Sequence, residues 1–387
     1  MAGTIAPPAT SAVIPTIGTA LPPTIGPSPS PVDSGASPTS IPAKQDGWAL
    51  LATSQSYFGA AWAPDGAHFF DTYPSRAFEI RDAEGRPLAT YSRFDRAYWL
   101  DASHLLAYRE NTGRPGATAS IADFTGGVVA APEDLNGTTG GDGLPDGQGE
   151  VAMPRVVGSG QVPHYQFAVW AGGSLGGWHE GKPVAWSNDG TKLAVVHPFE
   201  WAMGDPGWLE VLTWPGLTRL YADHPPYGAA YTVDFDPSGS YVAVYGGGGP
   251  ATLHGAQLRI VSLETDTSVR IPLDSVTYPA DPDFFWTTGS QLFLIVGDQV
   301  NSYDTVGNLV DEQPALGPMA NASADGSTVA YAGEANGTIL IDRDGSQISQ
   351  SEFGAQISQP WFSPDGRVLL LYGTLADGSS GLYLKRL

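Results

Sequence analysis

The chain contains no cysteine, which excludes disulfide staples, thiolate metal centres and a cysteine nucleophile. Stability has to come from a packed core. Charge is scarce, at 15% of residues, and lopsided: 18 Lys and Arg against 40 Asp and Glu leave a formal net charge of −22. Such a surface repels phosphate backbones and anionic headgroups, so nucleic acid is not an expected partner. No apolar run approaches the ~20 residues of a membrane-spanning helix, and no transmembrane segment is expected. What the 387 residues do have is turn formers and aromatics: 49 Gly, 33 Pro and 11% aromatic residues. That composition predicts an all-β body of many short strands joined by tight turns.

Residues 1–46 are rich in Pro, Ser, Thr, Ala and Gly and nearly free of charge before Lys44. Such a stretch cannot bury enough apolar surface to offset its ordering entropy. A disordered, partly polyproline stalk is expected, reaching on the order of 100 Å at ~3.1 Å per residue. It opens without the basic and apolar regions of a signal peptide. Its Ala2-Gly3 start resembles what precedes the lipidated cysteine of bacterial lipoproteins, although that cysteine, and with it any lipid tether, is missing from this chain. The expected setting is extracellular, at the cell surface or periplasmic.

From residue 47 one hairpin recurs. In Trp361-Phe362-Ser363-Pro364-Asp365-Gly366-Arg367-Val368-Leu369-Leu370 an aromatic strand end meets a Pro-Asp-Gly turn and an apolar strand follows. Pro presets φ, Asp hydrogen-bonds the next backbone groups, and Gly takes a positive φ. Copies place the aromatic position, or Ala322 in its stead, at 62, 99, 186, 235, 286, 322 and 362, giving steps of 37, 87, 49, 51, 36 and 40. Most steps match a four-stranded propeller blade of ~40–50 residues.

The spacing therefore predicts a single β-propeller over residues 47–387, with seven blades. The 87-residue step holds an insertion at about 133–183. Strand-like Tyr165–Trp170 leaves an eighth blade open there, but no Asp-Gly copy of the hairpin lies within 151–183, and a misread degenerate copy equally allows six. After Phe362 only two strands remain, so the strand near Trp48–Thr53 is expected to complete the last blade and close the ring.

Trp62-Ala63-Pro64-Asp65-Gly66, Trp186-Ser187-Asn188-Asp189-Gly190 and Phe362-Ser363-Pro364-Asp365-Gly366 resemble the TolB-type propeller repeat, a relative of the WD repeat. The resemblance spans residues 48–387 and implies architecture, not activity. The prolyl oligopeptidase relatives that share the repeat carry a separate hydrolase domain with a Gly-x-Ser-x-Gly elbow, for which this chain has no room.

Two stretches draw attention as candidate sites. Asp134, Asn136, Asp142 and Asp146, separated by glycines in the insertion, offer the oxygen ligands of a Ca²⁺ loop, although they miss the EF-hand spacing. The leading reading of this stretch is a solvated surface loop with no cofactor, and Ca²⁺ is the alternative. Trp170, Trp178, His179, Trp201, Asp205 and Trp208 crowd a region rich in Gly and Pro. Loop aromatics suit a peptide, a protein or the face of a sugar, and the alternative is a satellite core beneath the insertion.

The histidines lack zinc-site spacings such as H-E-x-x-H. The leading expectation is a non-enzymatic binding propeller using a loop face. A hydrolase or lyase with residues from several blades at the channel mouth, and a structural component of a surface assembly, are the alternatives.

Overall fold

A computed structural model describes the strands and tight turns of residues 47–387; residues 1–46 and stretches including 131–142, 198–207, 224–231, 247–256 and 274–282 are outside the described residues. Every regular element it describes is a β-strand, apart from single-residue features, and the strands form eight antiparallel sheets. In chain order these are blade 1 (59–92), blade 2 (96–130), blade 3 (144–180), blade 4 (182–223), blade 5 (232–271), blade 6 (283–314), blade 7 (319–352) and blade 8 (361–386 with 48–54).

The second strands read as apolar runs rather than as alternating patterns because both faces of each sheet are covered. In Tyr241–Gly246, Val242 and Val244 pack toward blade 4, whereas Ala243 and Tyr245 pack toward blade 6. Each interior side chain of this size contributes roughly 1.5–3 kcal/mol by leaving water. A buried cluster lies between every neighbouring pair of blades, from blades 1 and 2 round to blades 8 and 1, where Phe69 meets Leu370 and Leu382. A blade alone would leave two apolar faces wet, so the sheets close into a ring.

Closure follows the expected route. Trp48–Ser54 pairs antiparallel with Ser380–Arg386 as the outer strand of blade 8. The Trp48 indole donates to Ser351 Oγ of blade 7 at 3.0 Å. The two ends of the described body are thus stitched into one sheet.

The number of blades differs from the expected seven. Residues 144–180, within the stretch expected as an insertion, form a complete blade. Its opening hairpin is Leu144-Pro145, a turn through Asp146-Gly147-Gln148-Gly149-Glu150, and Val151–Val157. Pro145 pairs with Val151 where Trp186 of the next blade pairs with Leu193, so a proline stands in the aromatic position and the turn is one residue shorter. The fourth strand is broken into Ser174–Leu175 and His179–Glu180. These three departures hide the blade from a search for the repeat.

The recurring turn is a folding device. In blade 4 the buried Ser187 accepts the Lys192 N–H through Oγ at 2.9 Å and donates to Asp189 at 2.6 Å, while Gly190 N–H bonds back to Ser187 O at 2.9 Å. Ser363 and Asp365 repeat the pattern in blade 8, and Asp236 replaces the serine in blade 5. The Ser363 hydroxyl holds the Asp365 carboxyl below its ordinary range, aided by the Arg367 N–H against some burial.

Candidate functional site: a cavity on the turn face

In a four-stranded antiparallel blade, the turns joining strands one to two and three to four emerge on the same face. The first strands lie against one another around the ring, so the first turns crowd there. Gly190 rests on Asp146, Gly239 on Ser187, Gly366 on Ser323 and Gly66 on Pro364. The approach is closest at Gly326, where an added Cβ would sit 2.6 Å from Thr287 Cγ2 and φ is +73°. Only glycine fits both demands. In blade 6 Ser290, at φ 54°, takes the glycine position and donates its hydroxyl to Asp236 at 3.0 Å.

One contact breaks the order. Gly147 of blade 3 lies against Pro64 of blade 1, with 3.5 Å from a built Cβ to Pro64 Cγ, so the chain of turn contacts bypasses blade 2. The blade 2 turn has Asp101-Ala102-Ser103 where its neighbours carry glycine, and no residue in it takes a positive φ. Asp101 folds it inward by accepting the N–H groups of Ser103 and His104 at 2.7 and 2.9 Å. Leu100 is buried against blade 3.

A cavity of about 270 Å³ opens at this gap. Its lining includes the turn prolines Pro64 and Pro364 and the strand-end Pro145, with Trp62, Tyr98 and Trp99. Ala61 and Ala97 also line it, and among the described residues Asp146 is the one charged lining residue.

The motif tryptophans at this depth have a second task. The indole N–H of Trp99 donates to Ala61 O at 2.9 Å, that of Trp186 to Leu144 O at 2.9 Å and that of Trp286 to Asp234 O at 3.1 Å. Each latches a blade to the blade before it. Trp62 is the exception: its indole nitrogen is buried, and among the described residues it has no partner. Burying such a donor unpaired costs roughly 1–3 kcal/mol.

Carboxylates surround the cavity. Asp65 accepts the Ala67 N–H at 2.9 Å, and Asp146 accepts the N–H groups of Gln148 and Glu150 at 2.7 and 2.9 Å. Neither has a cationic partner among the described residues. Asp101 and Asp365 are paired with His104 and Arg367 at 3.0 and 3.7 Å. Burial pushes the Glu150 carboxyl up, with the Trp214 N–H bond at 2.5 Å opposing and the nearby Asp146 charge adding to the rise.

The residues expected as an aromatic site are dispersed. Trp170 is buried between blades 2 and 3. Trp178 lies under the Arg155 guanidinium, 3.6 Å from its ring centre, and Arg155 also holds Gln166. His179 lies at the opposite seam, beside Phe167 and Trp214 of the core between blades 3 and 4. Trp208 stacks on His197 at 3.9 Å and carries Arg219 on its ring at 4.9 Å, while Glu210 binds both His197 and Arg219. Burial raises the Glu210 carboxyl, but those two partners outweigh it and lower the net value. Trp201 and Asp205 lie outside the described residues.

Of the Ca²⁺ loop expected from sequence, Asp134, Asn136 and Asp142 lie outside the described residues. Asp146 forms a turn, its Oδ1 engaged by two backbone donors. Among the described residues no group of three His, Asp or Glu is placed to hold a metal ion, and no helix is long and apolar enough to cross a membrane.

Sequence reasoning sought function in the long loops and set the tight turns aside as structural. The cavity is built from those turns and the strand ends that carry them. Its signal was the missing turn glycine of blade 2, together with the Pro145-Asp146-Gly147 hidden in the supposed insertion.

No protein-family model matches the chain, and no curated protein matches it. Solved structures do. The C-terminal WD40 domain of Sif2 aligns with a TM-score of 0.58 at 11% identity, over 86% of this chain and 97% of that one. The Dos1 propeller aligns at 0.53 and 13%, over 84% and 90%. The dihydro-heme d1 dehydrogenase NirN, in complex with DHE, aligns at 0.54 and 14%, over 81% and 70%. At such identities the likeness establishes the fold, which is a β-propeller of the WD-repeat-like kind.

Proposed function

We propose that the protein is a binding propeller that holds a segment of another protein, or a peptide, by seating an apolar side chain in the turn-face cavity. The observation that carries this reading is the cavity itself, a concave apolar opening where one turn is withdrawn from an otherwise closed ring. At about 270 Å³ it lies just below the ~300–1,000 Å³ of small-molecule sites, and it suits one anchor side chain. Proline and aromatic walls favour an apolar anchor over a glycan, whose hydroxyls need polar partners.

The Pro/Ser/Thr-rich residues 1–46 support a secreted or surface-tethered setting, with this stretch as a stalk that spaces the propeller from its attachment. The aromatic-Ser-Pro-Asp-Gly turns favour assignment of the repeat to the TolB type.

Ala61→Leu is the decisive variant. Ala61 lines the cavity and is only partly buried, but it also packs on the core between blades 1 and 2, so matched thermal unfolding accompanies the variant. Peptides selected from a random display library on the wild-type protein should share an apolar residue and lose at least ~10-fold in affinity for Ala61→Leu, a loss of about 1.4 kcal/mol. Selected peptides that bind the variant as well as the wild type would place binding elsewhere.

A further inference from the structure

The rim of the cavity carries a preference that its walls do not. Pro64 and Asp65 are exposed, Asp146 lines the opening, and the contact of Gly147 with Pro64 brings the turns of Asp65 and Asp146 together at its edge. Both carboxylates use one oxygen on backbone N–H groups to shape their turns; Asp65 is exposed, and the second oxygen of the half-buried Asp146 lies beside Gly190 of blade 4. Among the described residues neither is neutralised by Lys or Arg, unlike Asp82 with Arg86, Asp71 with Arg81, or Asp223 with Arg259. The background charge of −22 reinforces the local field and does not offset it.

We infer that the occupant of the cavity is a peptide segment in which the apolar anchor is flanked by Lys or Arg, the cationic flanks meeting Asp65 and Asp146. This rests on the cavity reading and adds the chemistry of the partner. An anchor pressed against proline and aromatic walls excludes water from the rim. An ammonium or guanidinium on either side then meets carboxylates in a medium less screened than open solvent. An acidic flank would meet like charge. The surface thus selects basic, apolar segments by attraction and rejects acidic ones by repulsion.

The test uses the full chain and three fluorescein-labelled nonapeptides with Leu-Pro-Phe at the centre and Lys, Ser or Glu at the flanks, followed by anisotropy in low salt. The Lys-flanked peptide is expected to bind ~5-fold or more tighter than the Ser-flanked one, as two partly desolvated ion pairs would give. The Glu-flanked peptide should be weakest, and 0.5 M salt should erase most of the spread. In D65N/D146N the three peptides should converge on the Ser-flanked affinity; Asn keeps the acceptor oxygen each turn needs, and matched thermal unfolding confirms the fold.

Equal binding of Lys- and Ser-flanked peptides by the wild type, with loss of both in Ala61→Leu, would overturn the charge preference and leave the cavity reading in place. Binding of none of the three, or binding untouched by Ala61→Leu, would overturn both.

Discussion

Around blades 4 to 8 each turn glycine, or Ser290 in its place, rests on the turn of the preceding blade, whereas from blade 1 to blade 3 the contact passes over blade 2. The tryptophan latches tell a parallel story. Trp186 and Trp286 bond to the preceding blade, as Trp99 does, but Trp62 at the closing seam has no acceptor among the described residues. The regular arc converts every turn into packing. The irregular arc leaves one turn out and gains a cavity. A propeller repeat therefore has two ways of opening a concave surface: by loops added to it, and by one turn failing to fill its place.

The comparison breaks first at the glycines. Gly326→Ala puts a Cβ 2.6 Å from Thr287 Cγ2 at φ +73°, and strain plus overpacking should cost ~3 kcal/mol. Gly147→Ala meets Pro64 at an ordinary 3.5 Å and should cost only the ~1–2 kcal/mol of its positive φ. Urea unfolding of the two variants measures the gap. Equal losses would mean that the two arcs are packed alike.

The seam between blades 5 and 6 offers a second contrast, because it holds a half-buried carboxylate that is driven toward its protonated form. Burial raises Asp234 from 3.8 to about 6, against hydrogen bonds from the N–H groups of Trp286 and Phe235, and the charge of Asp236 adds to the rise. A raised carboxyl keeps its proton longer in the folded state, so its contribution is most favourable below pH 4 and is lost as pH climbs from about 4 to about 6. Asp234→Asn, which retains an acceptor, should leave stability unchanged near pH 4 and raise it by ~2 kcal/mol at pH 7. Denaturant midpoints at both pH values check this, and a variant no more stable at pH 7 than the wild type would contradict it.

Much of this architecture was readable because one hairpin carries its own physics. Ser363, Asp365 and Gly366 close the turn through local bonds that any copy repeats, so six of the eight first hairpins could be recognised from type and spacing, and Trp99 betrayed a seventh. The ring closure by Trp48–Ser54 followed from counting strands. Blade 3 was hidden because Pro145 replaces the aromatic, its turn is one residue short and its outer strand is split around Trp178. Of the candidate Ca²⁺ loop only Asp146 is described, and it closes the first turn of this blade.

The cavity was not legible at all, since each wall residue has a structural reason to be where it is. Only the absence of a glycine at Asp101-Ala102-Ser103 distinguishes the place. An absent contact leaves no motif.

The smallest expected effect separates the latched from the unlatched tryptophans. Trp286→Phe removes the donor to Asp234 O and should cost ~1 kcal/mol beyond the loss of ring area. Trp62→Phe loses no hydrogen bond and relieves an unpaired buried donor, so it should cost less than Trp286→Phe by at least that amount. Thermal unfolding of both variants reads the difference, and equal costs would remove the distinction between the seams.

The central claim is that binding occurs where the first turn of blade 2 drops out of the ring of turn contacts, and the tryptophan indole resonances report on it directly. In ¹⁵N-labelled protein titrated with the Lys-flanked Leu-Pro-Phe nonapeptide, the N–H signals of Trp62 and Trp99 should shift progressively with peptide, while Trp186 and Trp286 stay in place. Unmoved Trp62 and Trp99 signals at saturating peptide, or equal movement at Trp286 on the regular arc, would contradict the account.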